Sequence, residues 1–531
     1  MYSVVIRNGR IVDGSGGPWF KGDVGIQGDA IAAVGRVSGE AAQVIDAEGL
    51  YVCPGFIDVH CHPDFTVLDP ANPRDFKLRQ GVTTEVAGNC GETAAPVDPG
   101  HLDLLRAYVA FEAPREGVLS WNWRTFGEYL DVLAGRDIPT NFVPLVGHGT
   151  MRIAAMGFAM RAPTTTELER MKGFVQEAME AGAFGLSVGL GYAPGAYADT
   201  HEIVELARVA ARHGGLFATH MRNYADRVME ALDESFEVGR QAAIRVIVSH
   251  IGVRGPQREG KLRAALTAIE GARERGLDVT TDVYTLGVGT TLRVLLPHWV
   301  SEGTLEDLFG RLRDPSTRRT IKAEMDRLVV DRGSGERGPW GGIRLSRVMT
   351  EANRRFEGMT IDEISTSRGT SPSETVMDLV LEERCQVTMA LLDRPEDDVR
   401  AAVAHPLTMF ETDAMGFVDG IPPTSQYGTF PMILARYVRE TRLLRLEEAI
   451  RKMTSYPART LGLNKGLIRR GADADIVIFD AGTIAHRTTV DQPRQSPVGI
   501  EHVLVNGQPV VERGVFTGAM VGRVLRRGRD A

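Results

Sequence analysis

The sequence predicts an α/β protein, a (β/α)8 barrel of the TIM type with a small β-sandwich domain built from both termini and a helical lid insertion. Three observations support this prediction. Short β-type runs broken by Gly and Asp occupy both ends of the chain, at 1–52 and 465–531. Between them, within 53–464, apolar strand-like runs alternate with amphipathic helical stretches. A charged, helical segment at 285–403 interrupts this alternation and is too long for an ordinary loop.

The two ends resemble each other in composition. The first contains SVVIRNGRIVDG, and the second contains EHVLVNGQPVVERGVF, with an Asn-Gly turn at Asn506–Gly507. Apolar and polar residues alternate on both sides of such turns, which is typical of β-hairpins. We therefore expect the two ends to pack together as one domain.

In the middle of the chain, polar residues stand where successive strands end. The runs FVPLVG, AFGLSVGL, GLFATH, RVIVSH and LDVTTDVY are each followed by a helical stretch. A doubly wound sheet and a barrel both fit this alternation, but polar residues at the carboxyl ends of many strands favour the barrel, whose catalytic face lies there. No G-x-G-x-x-G motif opens a helix, which argues against dinucleotide binding.

Composition excludes several function classes. The 531 residues carry a net charge of −8, and the only basic cluster is the short Arg-rich tail, so a nucleic-acid partner is not expected. No apolar run approaches the roughly 18 residues of a membrane span, and no signal peptide is visible. Four cysteines do not form a disulfide framework, so we expect reduced thiols and a cytoplasmic protein.

Potential metal ligands follow the apolar strand-like runs. The segment FIDVHCHPD places His60 and His62 two residues apart, so their imidazoles point to the same side of a strand. Cys90 ends TTEVAGNCGE, and His220 and His250 end GLFATH and RVIVSH, about one βα unit apart. Each residue singly has a structural explanation, but imidazoles and a thiolate gathered at strand ends suit Zn²⁺.

Asp413 completes this set. It lies in MFETDAMG, after another short apolar run, where it could also be a helix N-cap. A carboxylate beside Zn²⁺ can accept a proton from water and pass it to a leaving amine. The residues therefore predict a metal-dependent hydrolase with Asp413 as general acid/base.

The motifs taken together resemble the amidohydrolase superfamily. They run in order along essentially the whole chain: HCHPD, GNCG, GYAPGAYAD, ATHMRN, SHIG, DVYT, YGTFP, MTSYPA and GADADIVIFD. More narrowly, they resemble its N-acyl-D-amino-acid deacylase (D-aminoacylase) branch. The resemblance implies zinc-dependent hydrolysis of a linear amide in an N-acyl amino acid or a related N-acyl amine.

The resemblance also implies roles for individual residues. His220, His250 and Cys90 match the ligands of a tight zinc site, and His60 and His62 match those of a second, weaker site. Asp413 matches the catalytic acid/base, and the insertion from Thr285 corresponds to the lid. The residues implied to lie near the substrate are Tyr192, Tyr284 and His148.

The sequence departs from the family pattern at the positions expected to hold the substrate carboxylate. Gly252 stands in place of a Lys and Ser425 in place of an Arg. Losing two charge-assisted contacts predicts weak turnover of simple N-acetyl-D-amino acids. The cations that could replace them are Arg222, which we also predict to bind substrate, Arg254 and Arg293.

Three alternatives stay open on the sequence alone. The chain could open a cyclic amide or imide, or it could trim an aminoacyl unit, possibly L-configured, in secondary metabolism. It could also be a non-catalytic metal-binding descendant of the fold, although such a protein would have no use for Asp413. A small-molecule amide is the expected partner in the enzymatic cases, and the oligomeric state is left open.

Overall fold

The computed structural model describes residues 1–72, 74–115, 117–255, 258–329, 337–392, 394–417 and 419–528. The predicted domain ranges also include positions outside these described residues. In chain order the strands are β1 (Tyr2–Ile11), β2 (Phe20–Gln27), β3 (Ala30–Gly35), β4 (Ala41–Asp46), β5 (Tyr51–Pro54), β6 (Phe56–Asp58), β7 (Val82–Ala87), β8 (Asn141–Pro144), β9 (Val146–Gly147), β10 (Gly185–Gly189), β11 (Leu216–His220), β12 (Arg245–Val248), β13 (Val279–Val283), β14 (Val288–Thr291), β15 (Ile343–Arg347), β16 (Thr388–Leu391), β17 (Thr408–Phe410), β18 (Ile476–Phe479), β19 (Ile500–Val505), β20 (Gln508–Glu512) and β21 (Val515–Phe516).

The α-helices surround the central strands and build much of the lid. They are α1 (Asp75–Leu78), α2 (Leu102–Tyr108), α3 (Phe126–Ala134), α4 (His148–Met156), α5 (Thr165–Ala181), α6 (Thr200–Arg212), α7 (Val228–Ala242), α8 (Lys261–Glu274), α9 (Leu305–Arg313), α10 (Pro315–Leu328), α11 (Gly338–Gly341), α12 (Ile361–Arg368), α13 (Pro372–Glu382), α14 (Glu396–Ala404), α15 (Ser425–Met432), α16 (Leu446–Met453) and α17 (Ser455–Leu461). Over the described ranges, every helix is too short or too polar to cross a bilayer.

Strands from both ends of the chain share one sheet. In the described part of the chain it has nine strands, in the order β21-β20-β19-β18-β5-β1-β2-β3, with β4 also paired to β1. The two ends meet where β5 pairs antiparallel with β18, Tyr51 opposite Phe479. Val4, Ile6 and Leu504 are buried in the same apolar cluster beneath this sheet. Burial of this shared apolar face is what holds the two ends together.

The barrel strands follow one another in parallel. In the described residues they form two parallel sheets. One contains β6, β7 and β8, and the other contains β9, β10, β11, β12, β13 and β17. β8 and β9 are two pieces of one strand, separated by Leu145. The amide of Asp413 donates to the carbonyl of His60 (3.0 Å), and that of His62 donates to the carbonyl of Ala414 (2.9 Å), which joins the first and eighth strands at their carboxyl ends. The predicted fold class is confirmed.

The helix α5 shows how the sequence defines a barrel helix. Thr164 caps its N-terminus and Glu167 completes a capping box. Gly182 ends it with a left-handed φ of 112°, a conformation that favours glycine. Met171 and Val175 lie one turn apart and are buried against the barrel.

The insertion after β13 has a core of its own. β14, β16 and β15 form an antiparallel sheet in that order. Leu292, Leu308, Ile361 and Val376 are buried in an apolar cluster separate from that of the barrel. By contrast, α14 lies within the predicted lid range but packs on α8 and β17, and its buried side chains belong to the barrel core. The chain thus leaves the barrel after β13 and returns to it through α14.

Candidate metal centre and active site

The candidate ligands and the candidate acid/base all lie at the carboxyl ends of barrel strands. Because parallel strands of a barrel end at the same face, residues far apart in sequence meet there. His60 and His62 follow β6, Cys90 follows β7, His220 ends β11, His250 follows β12 and Asp413 follows β17.

The Cys90 thiol lies among three imidazoles. Its Sγ is 3.2 Å from His60 Nε2, 3.7 Å from His220 Nδ1 and 3.6 Å from His250 Nε2. Cys90, His60 and His250 are buried. Burial lowers the pKa of His60 to about 3 and raises that of Cys90 to about 12. His60 is therefore neutral, which is the form that binds metals. The Cys90 thiol, by contrast, must lose its proton when a cation binds.

These donors fit a tetrahedral zinc ion. Bonds of about 2.3 Å to sulfur and about 2.0–2.1 Å to nitrogen place the two donor atoms about 3.6 Å apart. The distances from Cys90 Sγ to the nitrogens of His60, His220 and His250 lie on either side of this value. Ligand atoms of His60, Cys90 and His250 also lie within 4.8 Å of one another. The donor set and its spacing suit zinc better than magnesium or calcium, which prefer oxygen.

Asp413 contacts the same centre through His60 and His62. Its Oδ1 is 3.2 Å from His62 Nε2 and 3.7 Å from His60 Nε2. Burial raises its pKa, but the hydrogen bond to His62 and the electrostatic interaction with the neighbouring imidazoles outweigh burial and hold the pKa below its usual range. Asp413 is therefore an ionised carboxylate at neutral pH, as a general base must be. His60 lies between Cys90 and Asp413, so it contacts both parts of the centre.

Three of these residues have a left-handed backbone although none is glycine. The φ angles are 55° at Cys90, 39° at His250 and 49° at Asp413. Such conformations cost of order 1–3 kcal/mol each and persist where surrounding contacts enforce them. At His250, the amide donates to the Asp282 carboxylate. Backbone strain is therefore present at three of the residues that converge on the centre.

Buried acids that were not predicted from the sequence lie beside the imidazoles. His62 Nδ1 is 3.4 Å from Glu112, and His60 Nδ1 is 3.6 Å from Glu411 and 3.9 Å from Asp282. These contacts are electrostatic, because neither Nδ1 forms a hydrogen bond with the described residues, and buried acids beside a metal-binding histidine help to orient it. A signal existed for Glu411 and Asp282, which stand at the ends of β17 and β13. Glu112 stands in a loop, where the sequence offers no such signal.

A cleft of about 430 Å³ opens above the centre. His62, Cys90, His220, His250 and Asp413 contribute its floor, and residues of β14 and α10 contribute its roof. Lid and barrel thus share one cavity.

Tyrosines line the candidate site beside the imidazoles. Tyr192 Oη donates to the carbonyl of Cys90 (2.6 Å), and its ring lies 5.0 Å from that of His220. Tyr284 is 6.4 Å from the His250 ring. Tyr224, which the sequence analysis did not single out, lies 5.1 Å from both His220 and His250. Gly191 leaves room for His220, because a Cβ there would lie 2.8 Å from Nε2.

Arg222 borders the cleft, but its charge is already balanced. Its guanidinium donates to Glu234 (2.8 and 2.9 Å) and to the carbonyls of Ala196 and Ala198. The prediction that Arg222 binds substrate stays a prediction, and these contacts do not support it.

His148 is not among the residues that line the cleft. It is fully buried, and its Nε2 is 2.7 Å from Glu202. Glu202 also forms an ion pair with buried Arg152. The role predicted for His148 near the substrate finds no support in these contacts, which link α4 to α6 instead.

The Glu202 contacts lead to a stability prediction. Substitution Glu202→Gln leaves Arg152 buried without its counter-charge, so we expect a loss of about 3–5 kcal/mol and a lower midpoint of thermal unfolding. Glu205→Gln, which removes a more exposed ion pair on the same helix, is the matched control and should cost about 0–1 kcal/mol. Equal midpoints for the two variants would contradict a structural role for Glu202.

Comparison with known proteins agrees with this geometry. The amidohydrolase family profile matches residues 43–511. A D-aminoacylase of Alcaligenes xylosoxydans xylosoxydans is 35% identical over 538 residues, which cover 99% of this chain and 98% of the relative. An N-acyl-D-glutamate deacylase of the same organism is 34% identical over 527 residues, covering 99% and 96%.

A solved structure shows the same fold. The N-acyl-D-glutamate deacylase from Bordetella bronchiseptica, in complex with zinc and a phosphonate inhibitor, superposes with a TM-score of 0.82 and 33% identity, covering 99% of each chain. The match spans terminal sheet, barrel and lid together. The chain therefore belongs to the amidohydrolase family, in its N-acyl-D-amino-acid deacylase branch, and is a metal-dependent enzyme that acts on carbon–nitrogen bonds other than peptide bonds.

Proposed function

We propose that this enzyme hydrolyses the linear amide bond of an N-acyl-D-amino acid with the help of Zn²⁺. The observation that carries the proposal is the Cys90 thiol among the imidazoles of His60, His220 and His250, with Asp413 beside them in one cleft. The D configuration of the amino acid follows the relatives named above. Neither the opening of a cyclic amide nor the removal of an L-aminoacyl unit has a specific observation in its favour.

Cys90, His220 and His250 hold the first metal ion in this proposal, and His60 and His62 hold a second, weaker one. A bound Zn²⁺ polarises the amide carbonyl and lowers the pKa of water. Glu112, Glu411 and Asp282 orient the imidazoles from behind. The Tyr192 hydroxyl fixes the backbone at Cys90 by donating a hydrogen bond to the Cys90 carbonyl.

Asp413 moves the proton. As an ionised carboxylate it accepts a proton from the attacking water while the water oxygen forms a bond to the amide carbon. It then donates this proton to the leaving nitrogen as the carbon–nitrogen bond breaks. The products are a carboxylic acid and an amine. The hydrogen bond from His62 keeps the Asp413 carboxylate in place between the two steps.

The lid gives the cleft an apolar side that suits the acyl chain. Val294, Leu296, Leu328 and Leu391 all face the cavity. Burying each CH₂ of an acyl chain there contributes about 0.8 kcal/mol to binding. The same wall keeps bulk water from the reacting atoms.

An amide-hydrolysis panel tests the proposal. The zinc-loaded protein is assayed with N-acetyl-D-amino acids, their L enantiomers, and hydantoin as a cyclic substrate, with release of free amine or ring opening as the readout. We expect the free amine from the D substrates in preference to the L substrates and no ring opening. A higher kcat/KM for hydantoin, or for the L series, would overturn the proposed substrate.

A further inference from the structure

A side compartment of about 70 Å³ adjoins the main cleft. The two cavities share His250, Tyr224 and Arg254 in their walls. The compartment therefore opens directly beside the metal centre. The compartment is lined in part by Gly252, Arg254, Tyr284 and Arg394.

Two arginines flank Tyr284 in this compartment. Arg254 Nη2 donates to the Tyr284 hydroxyl at 3.1 Å. The Arg394 guanidinium lies 4.3 Å from the centre of the Tyr284 ring, and its Nη1 donates to the Tyr284 carbonyl at 2.7 Å. Arg254 is partly buried. Two positive charges thus converge on one small cavity.

Across the described ranges of the chain, no carboxylate forms an ion pair with Arg254 or Arg394. Of the acids that follow Arg394, Glu396 pairs with Arg436 at 3.0 Å and Asp398 pairs with Arg258 at 3.5 Å. The other candidate cations are already engaged: Arg222 pairs with Glu234, and Arg293 stacks on Phe158 at 5.3 Å. Partly buried cations without counter-ions are costly, so the pair calls for an anionic ligand.

The missing side chain at Gly252 makes room for Arg394. A Cβ at Gly252 would lie 3.1 Å from Arg394 Cζ and 3.4 Å from Nε, and closer still to Nη2. The position at which the family pattern carries a Lys therefore faces a guanidinium supplied by the segment before α14. Weak turnover of simple N-acetyl-D-amino acids was predicted in part because this Lys is missing. Arg394 supplies a cation at the same place, so this reason for the prediction no longer holds.

We propose that the side compartment binds the carboxylate of the amino-acid unit of the substrate, with Arg254 as its direct contact and Arg394, in the space left by Gly252, as its second cation. This inference rests on the proposed function and specifies how the leaving amino acid is recognised. The carboxylate enters beside His250, the amide lies over the metal centre, and the acyl chain extends into the larger apolar cleft. Arg–carboxylate contacts are charge-assisted and directional, which gives selectivity for an acid over a neutral analogue.

The test compares an acid with its amide. Acetate release is measured from N-acetyl-D-leucine and from N-acetyl-D-leucinamide, which lacks the carboxylate charge. For Arg254→Met we expect kcat/KM for the acid to fall about 10- to 10²-fold, mainly through KM, with little change for the leucinamide. Arg263→Met removes an exposed cation from the following helix α8 and should leave the acid-to-amide ratio unchanged.

A second pair of variants tests the Gly252–Arg394 relation. Arg394→Ala should lower the acid-to-amide ratio, and adding Gly252→Lys to it should restore the preference for the acid, because the new cation reaches the compartment from the other side. Circular dichroism and zinc content confirm that each variant is folded and loaded. Failure of Gly252→Lys to restore the ratio would overturn the role of Arg394.

Calorimetry provides a readout that does not require turnover. In the Asp413→Asn protein we expect N-acetyl-D-leucine to bind more tightly than the leucinamide, and Arg254→Met to abolish the difference. If both ligands lose affinity equally, the carboxylate role of Arg254 is refuted while the deacylase proposal stands. If wild type releases acetate from neither compound and calorimetry shows no preference for the acid, both proposals are refuted.

Discussion

Substitution Asp413→Asn is expected to lower kcat by about 10²- to 10⁴-fold, the usual contribution of a general acid/base. Asparagine keeps the shape of the side chain but cannot accept or return a proton. The hydrogen bond to His62 (3.2 Å) can be retained through the amide oxygen, so the cleft should keep its geometry. Steady-state kinetics on the substrate identified by the panel, with zinc content measured on the same sample, check the prediction.

The matched control for this variant is Asp131→Asn, which changes an exposed carboxylate paired with Arg526. It should leave kcat within about twofold of wild type, since surface ion pairs contribute little. A small effect of Asp413→Asn on kcat, at full zinc occupancy, would show that another group moves the proton.

Substitution Cys90→Ala is expected to release the tightly bound metal. It removes the sulfur that lies 3.2–3.7 Å from three imidazole nitrogens. Loss of even an indirect supporting contact typically costs about 10- to 100-fold in metal affinity, so loss of a direct ligand should exceed about 10²-fold. Elemental analysis should find little zinc after dialysis, and kcat/KM should fall at least as far.

Thermal unfolding gives an independent measure of the same loss. A ligand that binds only the native state raises its stability, so added zinc should raise the unfolding midpoint of wild type. The increase should be largely absent in Cys90→Ala. Cys53→Ala, which alters a buried thiol in β5 of the terminal sheet, is the control and should respond to zinc as wild type does. Near-stoichiometric zinc in Cys90→Ala would refute the assignment of Cys90.

The sequence alone was sufficient to predict the barrel and the residues that meet at its catalytic face. His220 and His250 follow apolar runs one βα unit apart, and the rule that parallel strands end at one face places them together without a structure. Hairpin composition at both ends indicates a shared sheet, and β5 pairs with β18 in that sheet. These features follow from local periodicity, which a sequence displays directly.

Other features were decided only by tertiary packing. Whether an arginine is free or neutralised depends on its neighbours in space: Arg222 meets Glu234, whereas Arg394 crosses from the segment before α14 to fill the space beside Gly252. The position of His148 also depends on packing. The family resemblance predicts that it lies near the substrate, but its contact with Glu202 holds it in the interior. Glu112, from an irregular loop, reaches His62 across a long sequence separation. The sequence determined where strands end and which donors gather there, because those depend on short-range patterns. The partners of each charge depend on how the lid and the loops fold over the barrel, and only the tertiary structure decides them.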